Sequence, residues 1–550
     1  MGSSSVTRAL TWLVRPVWVW PTLATLAVTG VGTGSAQPWR DELATWSAAT
    51  RPLRDLARMA GTVDAAIWPY YLLAHGWVTL FGDSPAALRL PSVLAAAGTA
   101  GLTAVLGDRL AGRRAGLLAG LLLAVLPGTS RYAQEARPYA FVAFFAVLAT
   151  LLLVRALDRP GWRRWAGYAA AVTALGLAHL VALTLLAAHA TAVLAARPGS
   201  AARPPLEGRT ARPGSAGLRP RRPFWGWLLA LLPAAVVLAP LALLAANQRG
   251  RQLDWVDQAR PADLTVLPGA LAQSSTVGGL LLGLAALGVA RAGRRALLPA
   301  ACVALPVLLL FLAGLAVPLW VPRYLFFTVP FACLLAGAAL AGTDPTPGPA
   351  GRAQTGSVAD RATTGSPADR ARTDGPADRA RTDGPADRAR AGGVALPGAL
   401  AVVLLAGLLG LPDQAALRSS HEWPRDALVD YRGAARVVHE GRRPGDVIVF
   451  SPRDGWLFPD IGLRYHLGDR QPRDALVVRG RDARGDYWAD ECGDPAACLA
   501  GARRAWLVVA GRRADPVGAV PGAKGAALRD GFGVERVWQR PGLTVALLTR

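Results

Sequence analysis

Apolar runs near the length needed to cross a hydrocarbon core recur along most of this chain, and they constrain its fold more than any other feature. A core of roughly 30 Å takes about 20 helical residues. A helix also satisfies its backbone polar groups internally where no water reaches them. Runs of this kind lie at 17–35, 86–106, 115–129, 139–154, 165–177, 181–195, 224–245, 277–290, 297–315, 325–341 and 394–411. With 52% hydrophobic and 18% charged residues over 550 positions, the pattern reads as an α-helical polytopic membrane protein, not a soluble enzyme. Aperiodic glycine, low charge and only four cysteines exclude collagen, coiled coil and disulfide scaffold.

The formal net charge of +23 is almost all arginine, Lys524 being the single lysine. In so apolar a chain this charge belongs with lipid phosphates and the cytoplasmic membrane surface, not with nucleic acid. Arginine-rich short loops at 113–114, 155–164, 197–222 and 291–295 should be cytoplasmic by the positive-inside rule. The N-terminus is then inside, and 37–84, 130–138, 248–275 and 320–324 face outward. This parity requires the apolar stretch 65–82, with Trp68, Tyr70, Tyr71, His75 and Trp77, to lie in the outer interface without crossing. The first run reads as an uncleaved span in preference to a secretory signal.

Four domains are expected: a transmembrane core over 1–341, a linker over 342–393, a last span over 394–411 and an outer domain over 412–550. The linker carries a nine-residue repeat, PADRARTDG, beginning at Pro367 and Pro376. It is too polar to bury a core and is expected to be disordered and cytoplasmic. The last segment is a small α/β domain, by parity extracytoplasmic, with a helix near 425–440, strands at 446–451 and 505–511, and a strand, Pro-Gly turn and strand over 534–550. Cys492 and Cys498 lie close together there, in a compartment where a disulfide persists, although two free thiols remain the alternative. Cys302 and Cys333 sit in spans as packing residues.

Groups able to do chemistry collect on the outer face. Asp41 and Glu42 follow the first span within WRDELATW at 39–46; an acidic pair at such a boundary is commonly just solvated. The second outer loop, SRYAQEARPY at 130–139, packs Arg131, Glu135, Arg137, Tyr132 and Tyr139 between apolar helices, where ionisable groups are costly unless they face a cavity. The loop at 247–258, with Arg249, Arg251, Asp254, Trp255 and Asp257, reads either as a solvated loop or as one that closes over the site. No CxxC or HExxH occurs, so no zinc set is expected.

Three stretches carry a specific resemblance: WRDELATW at 39–46, DAAIWPYYLLAHGWVTLFGDSPAALRLPS at 64–92 and RYAQEARPYA at 131–140, with a weaker match in VPRYLFFTVP at 321–330. They resemble the membrane glycosyltransferases of the C-type (GT-C) fold, in the family-39-like group related to protein O-mannosyltransferases and aminoarabinose transferases. YRGAARVV and RPGDVIVF within 431–450 resemble the outer tail of actinobacterial members. The resemblance implies an inverting transferase of the bacterial plasma membrane, moving a sugar, mannose first, from a polyprenyl-phosphate donor to the hydroxyl of an envelope glycan, a lipid or a secreted protein.

It further implies Asp41 as the base that accepts the acceptor's proton, with Glu42 orienting the acceptor or its neighbour. Arg137, then Arg131 and Arg323, would stabilise charge on the departing phosphate. Glu135, Tyr139, Tyr324, Asp64, Tyr70, Tyr71 and His179 are the further donor-site candidates, the tyrosines serving equally as interfacial anchors, with His75 an interface residue. Where relatives carry a histidine before the paired tyrosines, this chain has Ala66, Ile67 and Trp68, which leaves the phosphate to the arginines. A divalent cation bridged by Asp41 and Glu42 is compatible with this chemistry but not required by it. The competing reading, a transporter or flippase of an amphiphilic substrate, lacks mid-membrane ionisable residues and a broken-helix pair. An inactive relative retained as an assembly partner is the third.

Overall fold

The structure, a computed structural model, describes residues 16–196, 223–342, 396–422 and 427–550. The nine-residue repeat and the arginine-rich stretch at 197–222 lie outside the described residues. The apolar runs are helical. Val19–Gly30, Pro85–Ala111, Arg113–Val125, Tyr139–Asp158, Trp162–Ala178, Pro223–Gln252, Ser275–Ala292, Leu297–Ala316, Val329–Ala341 and Leu396–Leu409 form the bundle. Five described helices are by themselves long and apolar enough to cross a membrane, and counting each bent pair as one span gives seven. The other expected spans fall on shorter helices.

Two local features depart from a simple reading of the runs. The stretch expected as one span over 115–129 breaks at Leu126, which is extended ahead of Pro127, and the short helix Pro127–Ala133 turns away by 66°; with the 41° bend between Leu396–Leu409 and Leu411–Ser419, this corrects the expectation that no broken-helix pair occurs. Proline lacks the N–H that would continue the ladder and disfavours helix in the residue before it. The bend at Leu126 carries Arg131 inward. The helix Pro223–Gln252 runs on through part of the expected loop at 247–258, so Gln248, Arg249, Arg251 and Gln252 stand on a helix end.

Small residues let the bundle close. A Cβ on Gly107 would lie 2.6 Å from the Gly116 Cα, so Pro85–Ala111 and Arg113–Val125 pack backbone to backbone. Arg109 and Asp158 pair at 2.8 Å where their two helices end, and Arg291 reaches the Ala339 carbonyl at the end of Val329–Ala341. Arg109 and Asp158 lie at the far ends of the helices whose other ends carry Arg89 and Tyr139.

The C-terminal domain is a five-stranded sheet. Its strands are β1 (Val447–Ser451), β2 (Arg473–Asp474), β5 (Arg504–Ala510), β6 (Gly533–Arg540) and β7 (Leu543–Thr549), in the order β2-β1-β5-β7-β6; β3 (Val477–Arg479) and β4 (Asp490–Glu491) form a separate ladder. β1 is parallel to β2 and β5, and β7 is antiparallel to both neighbours. Cys492 and Cys498 are disulfide-bonded, and Cys302 and Cys333 are buried in the bundle. One face of the sheet shares its core with the first outer segment: Leu43, Leu56, Met59 and Tyr71 cluster with Tyr431, Phe458, Trp506 and Leu547. The stretch expected to lie in the interface is the helix Trp68–Phe81, roofed in part by this core.

A buried ion pair clasps the outer segments to the bundle. On the short helix Arg40–Ala49, Glu42 accepts from Arg89 Nε at 2.7 Å and Nη2 at 2.6 Å, and from the Ala136 N–H at 2.9 Å. Arg89 also donates to the Thr33 and Ala36 carbonyls at 2.7 and 2.9 Å. Burial opposes ionisation of Glu42, but Arg89 and then His421 hold its carboxyl far below the usual carboxylate range. Both oxygens of Glu42 are thus engaged in the clasp. Breaking such a pair on one side costs about 3–5 kcal/mol. Glu42→Ala should accordingly lose a large fraction of its thermal stability in detergent, and a melting temperature equal to the parent's would contradict the clasp.

Candidate active-site cavity

Asp41 follows from the clasp. With Glu42 fixed, its neighbour projects about 100° further round the helix, into a cavity of about 560 Å³. Its Oδ2 lies 3.5 Å from the Arg323 guanidinium and makes no hydrogen bond. Burial works against the charged form, but Arg323, Arg137, Arg40 and Arg131, in that order, outweigh it and hold the carboxyl below its ordinary value.

Arg323 comes from the 3-10 segment Pro322–Thr328, where Pro322 opens the turn. Its guanidinium lies over the Trp255 ring at 5.3 Å, which restrains it beside Asp41. Arg137 donates to the Tyr71 hydroxyl at 3.1 Å, and its Nε has no hydrogen-bond partner. His179, at the break between Trp162–Ala178 and Leu180–Thr184, lies tilted against the Tyr324 ring at 4.5 Å, and both line the cavity.

Asp64 organises the opposite wall. It holds a left-handed backbone, φ 55°, and its Oδ2 accepts from the Tyr71 and Tyr487 hydroxyls at 2.7 and 2.6 Å. Its Oδ1 accepts from Gln252 at 2.6 Å. Four separate parts of the chain thus meet at one carboxylate: the first outer segment, the end of Pro223–Gln252, the C-terminal domain and, through Tyr71, Arg137. The non-glycine residues with positive φ among those described are Asp64, Gln273 and Phe458, and each lines this cavity or the smaller one beside it. Backbone strain of this kind costs on the order of 1–3 kcal/mol per residue and collects at functional sites.

Several expected residues stand elsewhere. Tyr70 packs edge-on against Phe141 at 5.9 Å, and Tyr139 lies behind Tyr324, so both support the wall. His75 faces the Ala49 carbonyl at 2.9 Å. Arg131 donates to the His421 carbonyl at 2.7 Å and lies over Trp39; with Glu135 it borders the separate cavity of about 100 Å³, which Arg323 also lines. Glu135 is buried with neither oxygen hydrogen-bonded, 3.8 Å from Arg131. Because Glu42 is engaged by Arg89, the Asp41–Glu42 pair does not offer two open carboxylates to a divalent cation. Among the described residues no group of three or more His, Cys, Asp or Glu is placed to hold a metal ion.

Sequence reasoning missed Gln252, Tyr487, Trp456 and Phe458 on the cavity wall. It also missed His421 and Glu422, which join the last helix pair to the C-terminal domain. Polar glutamines closing a long apolar helix, and the Asp486-Tyr487-Trp488 cluster in the tail, were the available signals. Glu422 is 5% exposed, and burial pushes its carboxyl up to about 8, against the opposing pull of Arg40 and with a further push from Asp41. An unfolded glutamate titrates near 4.5. Between those values the unfolded chain releases a proton that the folded chain keeps, so Glu422 lowers stability as pH rises through that window. Glu422→Gln should melt like the parent at pH 5 and above it at pH 8; an equal shift at both would contradict the assignment.

Residues 64–204 match the family model described as dolichyl-phosphate-mannose-protein mannosyltransferase. Comparison with curated protein sequences gives no match. Among solved structures, ArnT from Cupriavidus metallidurans in the apo state is similar at TM-score 0.57 and 14% identity, over 98% of each chain. The same protein bound to undecaprenyl phosphate is similar at TM-score 0.57 and 14% identity, over 96% of this chain and 97% of that one. The family model covers 141 of the 550 residues, and the structural likeness shows that the chain shares the fold of ArnT over nearly its whole length.

Proposed function

We propose that the chain transfers a sugar, mannose first, from a polyprenyl-phosphate donor to an acceptor hydroxyl on the outer face of the bacterial plasma membrane, with inversion and with Asp41 as base. The observation that carries this reading is one open carboxylate, Asp41, set among Arg40, Arg137 and Arg323 in a cavity whose other side is aliphatic. Leu180, Val181, Ala242, Ala245 and Leu319 from the bundle make that side. An isoprenoid chain suits the aliphatic wall and its phosphate suits the guanidinium groups. ArnT, of the same fold, binds undecaprenyl phosphate, and the matched family model is named for a mannosyl phosphate donor.

In this reaction the acceptor oxygen attacks the anomeric carbon as its proton passes to an Asp41 oxygen. The bond from that carbon to the phosphate oxygen breaks, and the pair of electrons leaves with the phosphate. Arg137 and Arg323 stabilise the charge that develops there. The depressed titration of Asp41 keeps it ionised and ready to accept the proton at neutral pH. The glycosidic bond so formed has inverted configuration because attack and departure use opposite faces of the carbon.

The arginine-bearing turns at the far end of the bundle support an orientation with the N-terminus inside and the cavity and C-terminal domain outside. Asp41→Asn tests the base. It should express and fold as the parent does, yet lower transfer from lipid-linked sugar in membranes by about 10²–10⁴-fold. Full turnover by that variant would remove Asp41 from the role.

A further inference from the structure

Three chemically distinct walls meet in the cavity. The bundle supplies an aliphatic one, the outer loops a charged one, and the C-terminal domain a third. The residues this domain contributes to the lining, Trp456, Phe458 and Tyr487, are all aromatic. The geometry points to this aromatic wall as the acceptor subsite, built for a saccharide whose ring face lies on Trp456. The inference rests on the proposed transferase reading and deepens it by naming the acceptor as a carbohydrate, in a glycan or a glycolipid head, rather than a polypeptide side chain.

A lipid-linked donor reaches the cavity from the bilayer, along the aliphatic wall. The aromatic wall belongs to the one part of the lining that is not built on membrane helices or the loops between them, so it faces an acceptor arriving from water. Sugar rings carry an apolar face of C–H bonds and a rim of hydroxyls. A flat aromatic face next to hydrogen-bonding groups is the complement of that surface. Here Gln252 and Arg249, which line the same cavity, supply hydrogen-bonding groups.

Phe458 keeps a left-handed backbone, φ 49° and ψ 52°, immediately before Pro459. No glycine relieves that conformation, yet the ring is 2% exposed and fixed against Tyr487 at 5.1 Å and Trp456 at 5.8 Å. Trp456 is half-buried and meets Trp488 edge to face at 4.9 Å, and the Arg251 guanidinium covers Trp488 at 4.8 Å. Tyr487 is tied to Asp64 at 2.6 Å. A strained residue backed by a layered set of rings is a preorganised surface, not incidental packing.

The test uses the full chain in lipid nanodiscs with two probes, undecaprenyl phosphate and a panel of methyl disaccharides, each titrated by calorimetry or ligand-observed NMR. The account expects Trp456→Ala to weaken disaccharide binding about tenfold, Trp456→Phe to keep most of it, and undecaprenyl phosphate affinity to be unchanged in both. Unchanged disaccharide binding in Trp456→Ala overturns the inference, as does absence of disaccharide binding in the parent. A parallel loss of affinity for the sugar-bearing donor, undecaprenyl phosphomannose, measured in the same way, would assign the wall to the donor's sugar and also overturn it. Failure of the parent to bind undecaprenyl phosphate, with disaccharide binding intact and dependent on Trp456, would instead sink the transferase reading and leave the saccharide site standing.

Discussion

The buried pairing of Glu42 with Arg89 is the interaction on which the rest of the outer face depends. A carboxylate and a guanidinium, each with a side chain about 1% exposed, are tolerated only when each is fully engaged. Arg89 meets that condition by gripping Glu42 through two nitrogens and the Thr33 and Ala36 carbonyls through a third. Glu42 meets it by also taking the Ala136 amide. Four segments are thereby fixed to one another: the end of the first helix, the short helix Arg40–Ala49, the start of Pro85–Ala111, and the loop that carries Arg137. Asp41 gains its place in the cavity from that arrangement, with the Arg323 guanidinium 3.5 Å away.

A second carboxylate performs the same service on the other side. Asp64 gathers Tyr71, Tyr487 and Gln252, and Tyr71 passes the connection to Arg137. The C-terminal domain is therefore continuous with the helical bundle in two senses: it shares a hydrophobic cluster with the outer helices and supplies part of the cavity wall. The contacts of Arg51 with the Asp486 carbonyl at 2.6 Å and of Arg251 with the Asp486 carboxylate at 2.7 Å reinforce the seam. A domain attached in this way positions residues rather than merely covering the membrane core.

Much of this was legible in the residues, with gaps that have physical causes. Apolar periodicity locates helices because burial in lipid leaves few alternatives, so the bundle and the strand, turn and strand at the end of the chain were readable. The pair Asp41 and Glu42 was readable as a pair, but not as two different residues. Which carboxylate faces the cavity depends on Arg89, 47 positions away, and adjacent acids look alike without it. Arg131, Glu135 and Arg137 form one motif, yet the bend at Leu126 and the turn before Tyr139 place Arg137 on the main cavity and the other two beside the smaller one. Gln252 and Tyr487 come from regions read as loop and as tail, and only long-range packing brings them to Asp64.

The central claim is that the arginines around Asp41 receive the phosphate of a polyprenyl lipid. Native mass spectrometry of the chain released from its own membranes measures this most directly. The account predicts a bound species with the mass of a polyprenyl phosphate or its sugar conjugate, present in the parent and strongly depleted in the Arg137→Ala, Arg323→Ala double variant. A parent that carries only bulk phospholipid, or a double variant that retains the polyprenyl species undiminished, would contradict it.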